Sequence, residues 1–268
     1  MSGYNIYFSP AGGTKKAADL VCRTLFEGQS VTQIDLSRPE EDFSNYEFGP
    51  EDVCVIAVPS FGGRVPAAAS QRIGKLSAKG AKAVLMAVYG NREFEDTLTE
   101  LEDILTERGF VCRAAVSAIA EHSIVRQYGT GRPDEKDQQE LGEFGEKIRT
   151  CLAGDGKENY RESGKENYKE NWIPGNRPYK KLGTVPMIPQ TDDSCIKCGL
   201  CAEKCPIQAI PADRPWETDG ETGISCMRCL SICPVHARTL DSDRLAGLAE
   251  RLKNVCAGRK ENKLYYNE

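Results

Sequence analysis

The feature that most constrains this chain is a run of closely spaced cysteines, Cys195-Ile-Lys-Cys198-Gly-Leu-Cys201-Ala-Glu-Lys-Cys205-Pro206. This C-x2-C-x2-C-x3-C-P spacing lets three thiolates of one tight loop reach three irons of a cubane, while the cysteine before proline is directed to another cluster. A zinc site is the main alternative interpretation of this run, because paired C-x2-C units also bind zinc. Zinc does not require an uninterrupted run that ends in proline, so the spacing predicts an iron–sulfur site.

A second run, ETGISCMRCLSICP at 221–234, contains three of the four expected cysteines. Cys226, Cys229 and Cys233 before Pro234 have the spacing of the last three cysteines of such a run. Gly223 stands where the first cysteine would be. In a chain with no export leader, closely spaced cysteines indicate metal or redox chemistry rather than a disulfide framework.

Composition limits the class of protein. The 268 residues are 40% hydrophobic and 28% charged, as in a globular protein with a sizeable core. The net charge of −5 argues against a nucleic-acid partner. No apolar stretch is long enough to span a bilayer, and the start, MSGYNIYFSP, has no leader pattern, so we expect a cytoplasmic protein without membrane insertion.

The first 150 residues alternate between strand and helix patterns. Helical patterns separate most of the apolar runs, which predicts an α/β fold with a doubly wound parallel sheet. Five strands fit the flavodoxin-like order 2-1-3-4-5. The predicted strands are YNIYF (4–8), VTQIDL (31–36), VCVIAV (53–58), AVLMAV (83–88) and VCRAAVSAI (111–119).

The remaining sequence divides into three parts. A polar near-repeat, GKENYRES at 156–163 and GKENYKEN at 164–171, opens a segment rich in proline and glycine that we interpret as an extended linker. A cysteine-rich module and an amphipathic helix within SDRLAGLAERLKNVCAG follow, and no element is predicted for the tail KENKLYYNE. The predicted divisions are 1–152 for the α/β domain, 153–188 for the linker, 189–241 for the iron–sulfur domain, and 242–268 for the helix and tail.

Three loops should meet at the carboxyl edge of the predicted sheet, where such folds bind ligands. The first, Ser9–Thr14, joins the first strand to the first helix, where glycine and the helix N–H groups can hold a phosphate. A simple helix cap would also explain Ser9 and Thr14. The loops PSFGGRVP (59–66) and VYGNREF (88–94) follow the third and fourth strands. The absence of GxGxxG makes a dinucleotide the weaker alternative.

These loops resemble those of flavodoxins, whose phosphate loop has the form Ser/Thr-x-Thr-Gly-x-Thr. Ser9, Gly12 and Thr14 match that form, and Ala11 replaces a hydroxyl. The resemblance implies FMN, with Phe61 or Tyr89 available to stack on its ring. The implied cofactor-binding residues are Ser9, Pro10, Ala11, Gly12, Gly13, Thr14, Pro59, Ser60, Phe61, Gly62, Gly63, Arg64, Tyr89, Gly90, Asn91 and Arg92.

The segment AEHSIVRQYGTGRPDEKD (120–137) follows the fifth strand and is predicted to fold over the flavin as a lid. It contains His122 and Tyr128, the candidate proton sources if the protein is an enzyme. For an isolated histidine, a structural hydrogen bond is the alternative role.

The cysteine module resembles two-cluster bacterial ferredoxins, a small α+β fold, and the resemblance implies crosswise ligation. Cluster one, a complete 4Fe–4S cluster, would be held by Cys195, Cys198, Cys201 and Cys233. Cluster two would be held by Cys205, Cys226 and Cys229, with an unknown fourth ligand.

Four interpretations of the gap at Gly223 remain open. A 4Fe–4S cluster would carry water, Asp213, Asp219 or a small thiol on its fourth iron; a 3Fe–4S cluster would need no fourth ligand. In the third interpretation, Cys256 is a remote ligand of the second cluster. In the fourth, the second cluster is absent. We favour two clusters, the second incompletely ligated by protein.

The whole chain resembles the flavodoxin–ferredoxin fusion proteins of anaerobic bacteria, the EFR1-like family, in phrases such as FSPAGGTKKAAD and CIKCGLCAEKCP. The resemblance implies electron transfer between low-potential 4Fe–4S clusters and FMN, with redox proteins as donors or acceptors. An FMN-dependent reductase of a small molecule, fed by the clusters, is the alternative, and a redox or oxygen sensor is a third. The carrier is favoured over the enzyme.

Overall fold

A computed structural model describes residues 2–153, 172–183 and 187–267. The near-repeat at 156–171, and with it most of the predicted linker, lies outside these ranges. The strands are β1 Gly3–Tyr7, β2 Val31–Asp35, β3 Glu47–Phe48, β4 Val53–Pro59, β5 Ser77–Ala78, β6 Lys82–Tyr89, β7 Val111–Ile119, β8 Gln190–Thr191, β9 Arg238–Thr239 and β10 Lys263–Tyr266. The helices are α1 Gly13–Leu25, α2 Ala67–Ile73, α3 Thr97–Glu107, α4 Glu135–Ala153, α5 Leu200–Glu203, α6 Arg228–Ile232 and α7 Ser242–Leu252.

The main sheet has six strands in the order β10-β7-β6-β4-β1-β2. All neighbouring strands are parallel except β10, which runs antiparallel to β7. The central strand β4 is buried along Val53–Val58 because helices cover both faces of the sheet. Two apolar clusters form the core, one on each face.

The predicted count of five strands is wrong, because the C-terminal tail returns to the sheet as β10. Its side chains alternate between the faces: Leu264 and Tyr266 pack on one core cluster and Tyr265 on the other. The signal was too short to detect in sequence, since four residues pair with an edge strand about 150 positions earlier.

A buried polar cluster attaches this tail to the α/β domain. Asn262 accepts a hydrogen bond from the Ile119 N–H at 3.0 Å and donates to Asp137 at 2.9 Å. Asp137 also pairs with the buried Arg132, and Arg132 donates to the Lys260 carbonyl at 2.8 Å. Burial raises the pKa of Asp137, but hydrogen bonds from Arg132, the Asp134 N–H and Asn262 outweigh it and hold this pKa below its usual value.

The described part of the linker, 172–183, runs along α3. The two oxygens of the Asp96 carboxylate accept from the Asn176 N–H at 2.9 Å and from the Lys180 N–H at 2.7 Å. The Thr99 hydroxyl donates to the Pro174 carbonyl at 3.1 Å. These bonds carry the chain across the α/β domain before it enters the cysteine-rich domain.

The cysteine-rich domain is built on the antiparallel pair β8–β9 and the short helices α5 and α6. It contacts the α/β domain through a third apolar cluster. Buried Val125 of the α/β domain packs there with Met227 of the cysteine-rich domain and Leu248 of α7. Arg72 on α2 donates to the Pro206 carbonyl at 2.5 Å.

Among the described residues, no helix has both the length and the apolarity needed to cross a bilayer.

Candidate cofactor sites

A cavity of about 450 Å³ lies at the carboxyl edge of the sheet. Its size is in the range of sites that enclose one ligand of cofactor size. All three predicted loops reach it. The predicted flavin-loop residues that line it are Pro10, Ala11, Gly13, Thr14, Pro59, Ser60, Phe61, Gly62, Tyr89 and Gly90.

The first loop presents the N-terminus of α1, a helix of 13 residues, to this edge. Gly12 adopts φ +91°, a left-handed conformation that glycine accepts without strain, and a Cβ there would meet nothing within 4 Å. The N-cap residue of α1 is Gly12, and the Ser9 hydroxyl accepts from the Lys15 N–H in the first turn at 2.9 Å. Ser9 and Gly12 therefore shape the loop without lining the cavity.

Four other predicted residues also lie outside the cavity wall, each engaged elsewhere. Arg64 pairs with Glu100 at 2.7 Å, and Arg92 pairs with Glu95 at 2.6 Å. Gly63 packs so closely on Glu95 that a Cβ would overlap the carboxylate. Asn91 donates to two carbonyls of the returning C-terminal segment, those of Cys256 at 2.7 Å and Gly258 at 2.9 Å.

The predicted lid contributes its first residues, Ala120–Ile124, to the cavity wall. It lies tightly against the preceding loop, because a Cβ on Gly90 would come within 2.6 Å of the His122 Cα. Tyr128 does not line the cavity. Its hydroxyl donates to the Ala249 carbonyl at 2.7 Å, so it belongs to the contact with α7. This position does not suit the predicted role of Tyr128 as a proton source.

His122 lines the cavity, and its Nδ1 accepts from two backbone N–H groups, those of Ile124 at 3.2 Å and Val125 at 3.1 Å. The ring proton is therefore assigned to Nε2. Burial and the nearby positive charge of Arg92 lower the pKa of His122 to about 4. At neutral pH this side chain is an uncharged hydrogen-bond donor and not an acidic imidazolium.

We expect His122 to remain neutral, with its proton on Nε2, from pH 8 down to about pH 5. Both causes act in the same direction, since burial and a neighbouring cation disfavour the charged ring. Nitrogen NMR of labelled histidine would measure this, with His236→Asn identifying the signal of the only other histidine. A titration midpoint near the usual histidine value would contradict the prediction.

Two smaller cavities lie in the cysteine-rich domain. Cys195, Cys198, Cys201 and Cys233 line the first, so both cysteine runs contribute to it. The Lys197 N–H lies 3.4 Å from the Cys195 sulfur, and the buried Arg238 donates to the Cys201 sulfur at 3.4 Å. Donors of this kind stabilise thiolate ligands, and four cysteines around one space fit a 4Fe–4S cluster.

The second cavity is lined by Cys205, Cys226 and Cys229 together with Gly223. The Ala209 N–H lies 3.3 Å from the Cys205 sulfur. Burial raises the pKa of Cys226 to about 12 and that of Cys229 to about 11. Buried thiols such as these ionise when a bound metal offsets the negative charge, so three cysteines in a largely apolar wall fit an incompletely ligated cluster.

Across the described ranges, no three Cys, His, Asp or Glu side chains stand close enough to hold a single metal ion.

The side chains considered for the fourth position all lie elsewhere. Asp213 is an exposed residue that pairs with Arg214 at 3.5 Å. Asp219 accepts hydrogen bonds within its own turn, and Cys256 is buried in the segment that Asn91 holds. None of these three lines the second cavity.

One segment separates the second cavity from the large one. Gly223, Ile224, Ser225 and Cys226 line both spaces, so the cysteine-rich domain forms part of the wall of the cavity at the sheet edge. Leu182 and Gly183 of the linker complete this wall. These contacts were missed in sequence because they join loops far apart along the chain.

Residues 190–210 match the family of 4Fe-4S binding domains. No curated protein matches the chain. Among similar solved structures, a flavodoxin of Streptococcus pneumoniae TIGR4 has 16% sequence identity and a TM-score of 0.42, and the match covers 56% of this chain and 99% of that one. A flavodoxin from the domain Archaea has 14% identity and a TM-score of 0.40, with 57% of this chain and 99% of that one covered. The rubredoxin oxygen:oxidoreductase of Desulfovibrio gigas has 15% identity and a TM-score of 0.40, with 57% of this chain and 37% of that one covered. The chain thus joins a doubly wound α/β domain to a domain that carries a 4Fe-4S binding segment.

Proposed function

We propose that this chain is an electron-transfer protein that moves electrons between 4Fe–4S clusters in its C-terminal domain and FMN at the sheet edge. The observation that carries the proposal is the shared wall, Gly223–Cys226, between the large cavity and the second cysteine cavity. When bound, the clusters exchange single electrons and FMN exchanges one or two. A wall of one chain segment keeps the two sites close together.

The α/β domain supplies the proposed FMN site. The N-terminus of α1 and the backbone around Gly13 would hold the phosphate, since no Lys or Arg occurs in residues 9–14. The loops containing Phe61 and Tyr89 would flank the ring. His122 would donate a hydrogen bond from Nε2 while its Nδ1 stays engaged with the backbone.

The cysteine-rich domain supplies the proposed cluster sites. Cys195, Cys198, Cys201 and Cys233 would ligate cluster one, whereas Cys205, Cys226 and Cys229 would ligate cluster two. The apolar side chains around the second cavity screen it from water, which helps to set the reduction potential.

The exposed side of cluster one is the proposed contact for an external redox protein. Cys198 is exposed, and Ile196 beside it is 61% exposed. Cys205, in contrast, is buried, and the carbonyl of the adjacent Pro206 accepts from Arg72 of the α/β domain. We infer that electrons enter or leave at cluster one and reach the flavin through cluster two.

A second candidate function is an FMN-dependent reductase of a small molecule. It is favoured by polar side chains in the cavity wall beyond the flavin loops, those of Glu121, Ser123 and Glu221. Saturable turnover of a small molecule by the reduced protein would distinguish this enzyme from a carrier.

The relay is tested by Cys205→Ala in protein reconstituted with FMN, iron and sulfide without oxygen. We expect a low-potential protein donor to reduce cluster one at the wild-type rate while flavin reduction is lost, because the variant lacks a ligand of cluster two. Rapid-mixing absorbance measures both, and Cys151→Ala, a half-buried cysteine on α4, is the matched control. Flavin reduction at the wild-type rate in Cys205→Ala would refute the proposed route.

A further inference from the structure

Gly223 closes a tight turn that begins at Asp219. Its N–H donates to the Asp219 carbonyl at 3.0 Å, and the Asp219 carboxylate accepts from the Glu221 N–H at 2.9 Å and the Thr222 hydroxyl at 2.5 Å. Gly223 is outside the left-handed region that would demand glycine. The backbone of the turn would therefore accept a side chain at this position.

A neighbouring side chain limits the space at Gly223. An added Cβ would lie 3.1 Å from Ile188 Cδ1 and 3.0 Å from the Asp219 carbonyl oxygen. Ile188 and Gly223 both line the second cysteine cavity. A cysteine at 223 would require both Ile188 and the Asp219 carbonyl to move by a few tenths of an ångström. As the chain stands, residue 223 offers no side-chain ligand at this corner of the cavity.

The described wall of the second cavity contains no carboxylate or imidazole, and its thiols are those of Cys205, Cys226 and Cys229. It does contain Arg228, whose Nε is buried with no hydrogen-bond partner within the described ranges. A buried cationic N–H is costly without an acceptor and favours an anion beside it. This observation is independent of the gap at Gly223 and indicates an anionic group, such as a cluster or its ligand, in the same cavity.

The corner at Gly223 borders the flavin cavity. Gly223, Ile224 and Ser225 line both cavities, while Ile188, Ile207 and Ile210 line the second cavity alone. A small molecule in the flavin cavity therefore stands one chain segment from the corner that has no protein ligand.

We infer that cluster two takes its fourth ligand from the flavin cavity, as a small anion or thiolate, and that bound FMN controls access to it. The inference rests on the proposed function, since it requires both cofactors. Binding is a ligand addition without electron transfer: a thiol releases its proton to solvent and binds through sulfur, and cyanide binds as the anion.

The test compares wild type, Gly223→Cys and the matched control Gly223→Ala, each with and without FMN. Cyanide and 2-mercaptoethanol are the probes, and the spectrum of cluster two in EPR or Mössbauer spectroscopy is the readout. We expect both probes to shift the spectrum of wild type and Gly223→Ala, and neither to shift that of Gly223→Cys. Because only the flavin-free fraction offers an open route, FMN should slow the shift by about tenfold or more.

Three results would overturn the inference: an unchanged probe response in Gly223→Cys, a response that FMN does not slow, or a wild-type iron content that fits cluster one alone. The last would also refute the proposed relay, whereas the first two would leave it standing. If Gly223→Cys fails to fold, Gly223→Cys combined with Ile188→Val provides the space and the same comparison. A response to the thiol alone would identify a thiol source, and a response to both probes a general anion site.

Discussion

FMN affinity is expected to fall by at least about 100-fold when Gly12 is replaced by aspartate. A side chain at φ +91° costs about 1 kcal/mol, and a carboxylate that came within about 5 Å of a phosphate would add about 3 kcal/mol at an effective dielectric constant of about 20. No steric clash contributes, because an added Cβ at Gly12 meets nothing within 4 Å. Fluorescence titration of flavin-free protein with FMN measures the change.

Gly12→Asn is the matched control for this prediction. Asparagine has nearly the same shape as aspartate, tolerates the left-handed conformation and carries no charge. We expect it to weaken FMN binding by less than about tenfold, since only the backbone cost remains. Equal losses in the two variants would show that the phosphate does not bind at the N-terminus of α1.

Cys233→Ala is expected to remove cluster one and leave cluster two, although Cys233 lies in the second cysteine run. Cys233 lines the first cavity with Cys195, Cys198 and Cys201, and the second cavity contains none of these four residues. The expected result is the same as for Cys198→Ala: loss of the cluster-one signal and about half of the bound iron. Iron and sulfide analysis with EPR measures both.

Cys151→Ala controls for the loss of a thiol, because Cys151 is a half-buried residue of α4 that lines neither cysteine cavity. Loss of the cluster-two signal in Cys233→Ala, with cluster one retained, would contradict the crosswise assignment. It would mean that each cysteine run binds its own cluster.

Much of the α/β domain followed from local patterns. Apolar runs such as VCVIAV and VCRAAVSAI lie in β4 and β7, because a strand buried on both faces needs continuous apolar sequence. The loop Ser9–Thr14 at the sheet edge was located for a similar reason, since glycine and hydroxyl residues between a strand and a helix form a local signature. The 4Fe-4S segment depends on cysteine spacing within one loop, which a short stretch of sequence specifies completely.

Other features depended on contacts that no short stretch contains. Tyr128 is adjacent to candidate flavin residues in sequence, yet its hydroxyl bonds to Ala249 across the domain contact. Asn91 follows a cavity residue but binds carbonyls near Gly258. The strand β10 forms only because the chain end returns to β7 after passing through the cysteine-rich domain.

The sequence by itself determined most elements of the α/β domain, the loops at the sheet edge and the two cysteine runs with the gap at Gly223. Each of these features depends on residues that are close to one another along the chain. Only the tertiary structure decided that Gly223–Cys226 form one wall of the large cavity, that Ile188 lies beside Gly223, and that β10 joins the sheet as an edge strand. These contacts join residues more than 200 positions apart, and packing and buried hydrogen bonds select them when the whole chain folds.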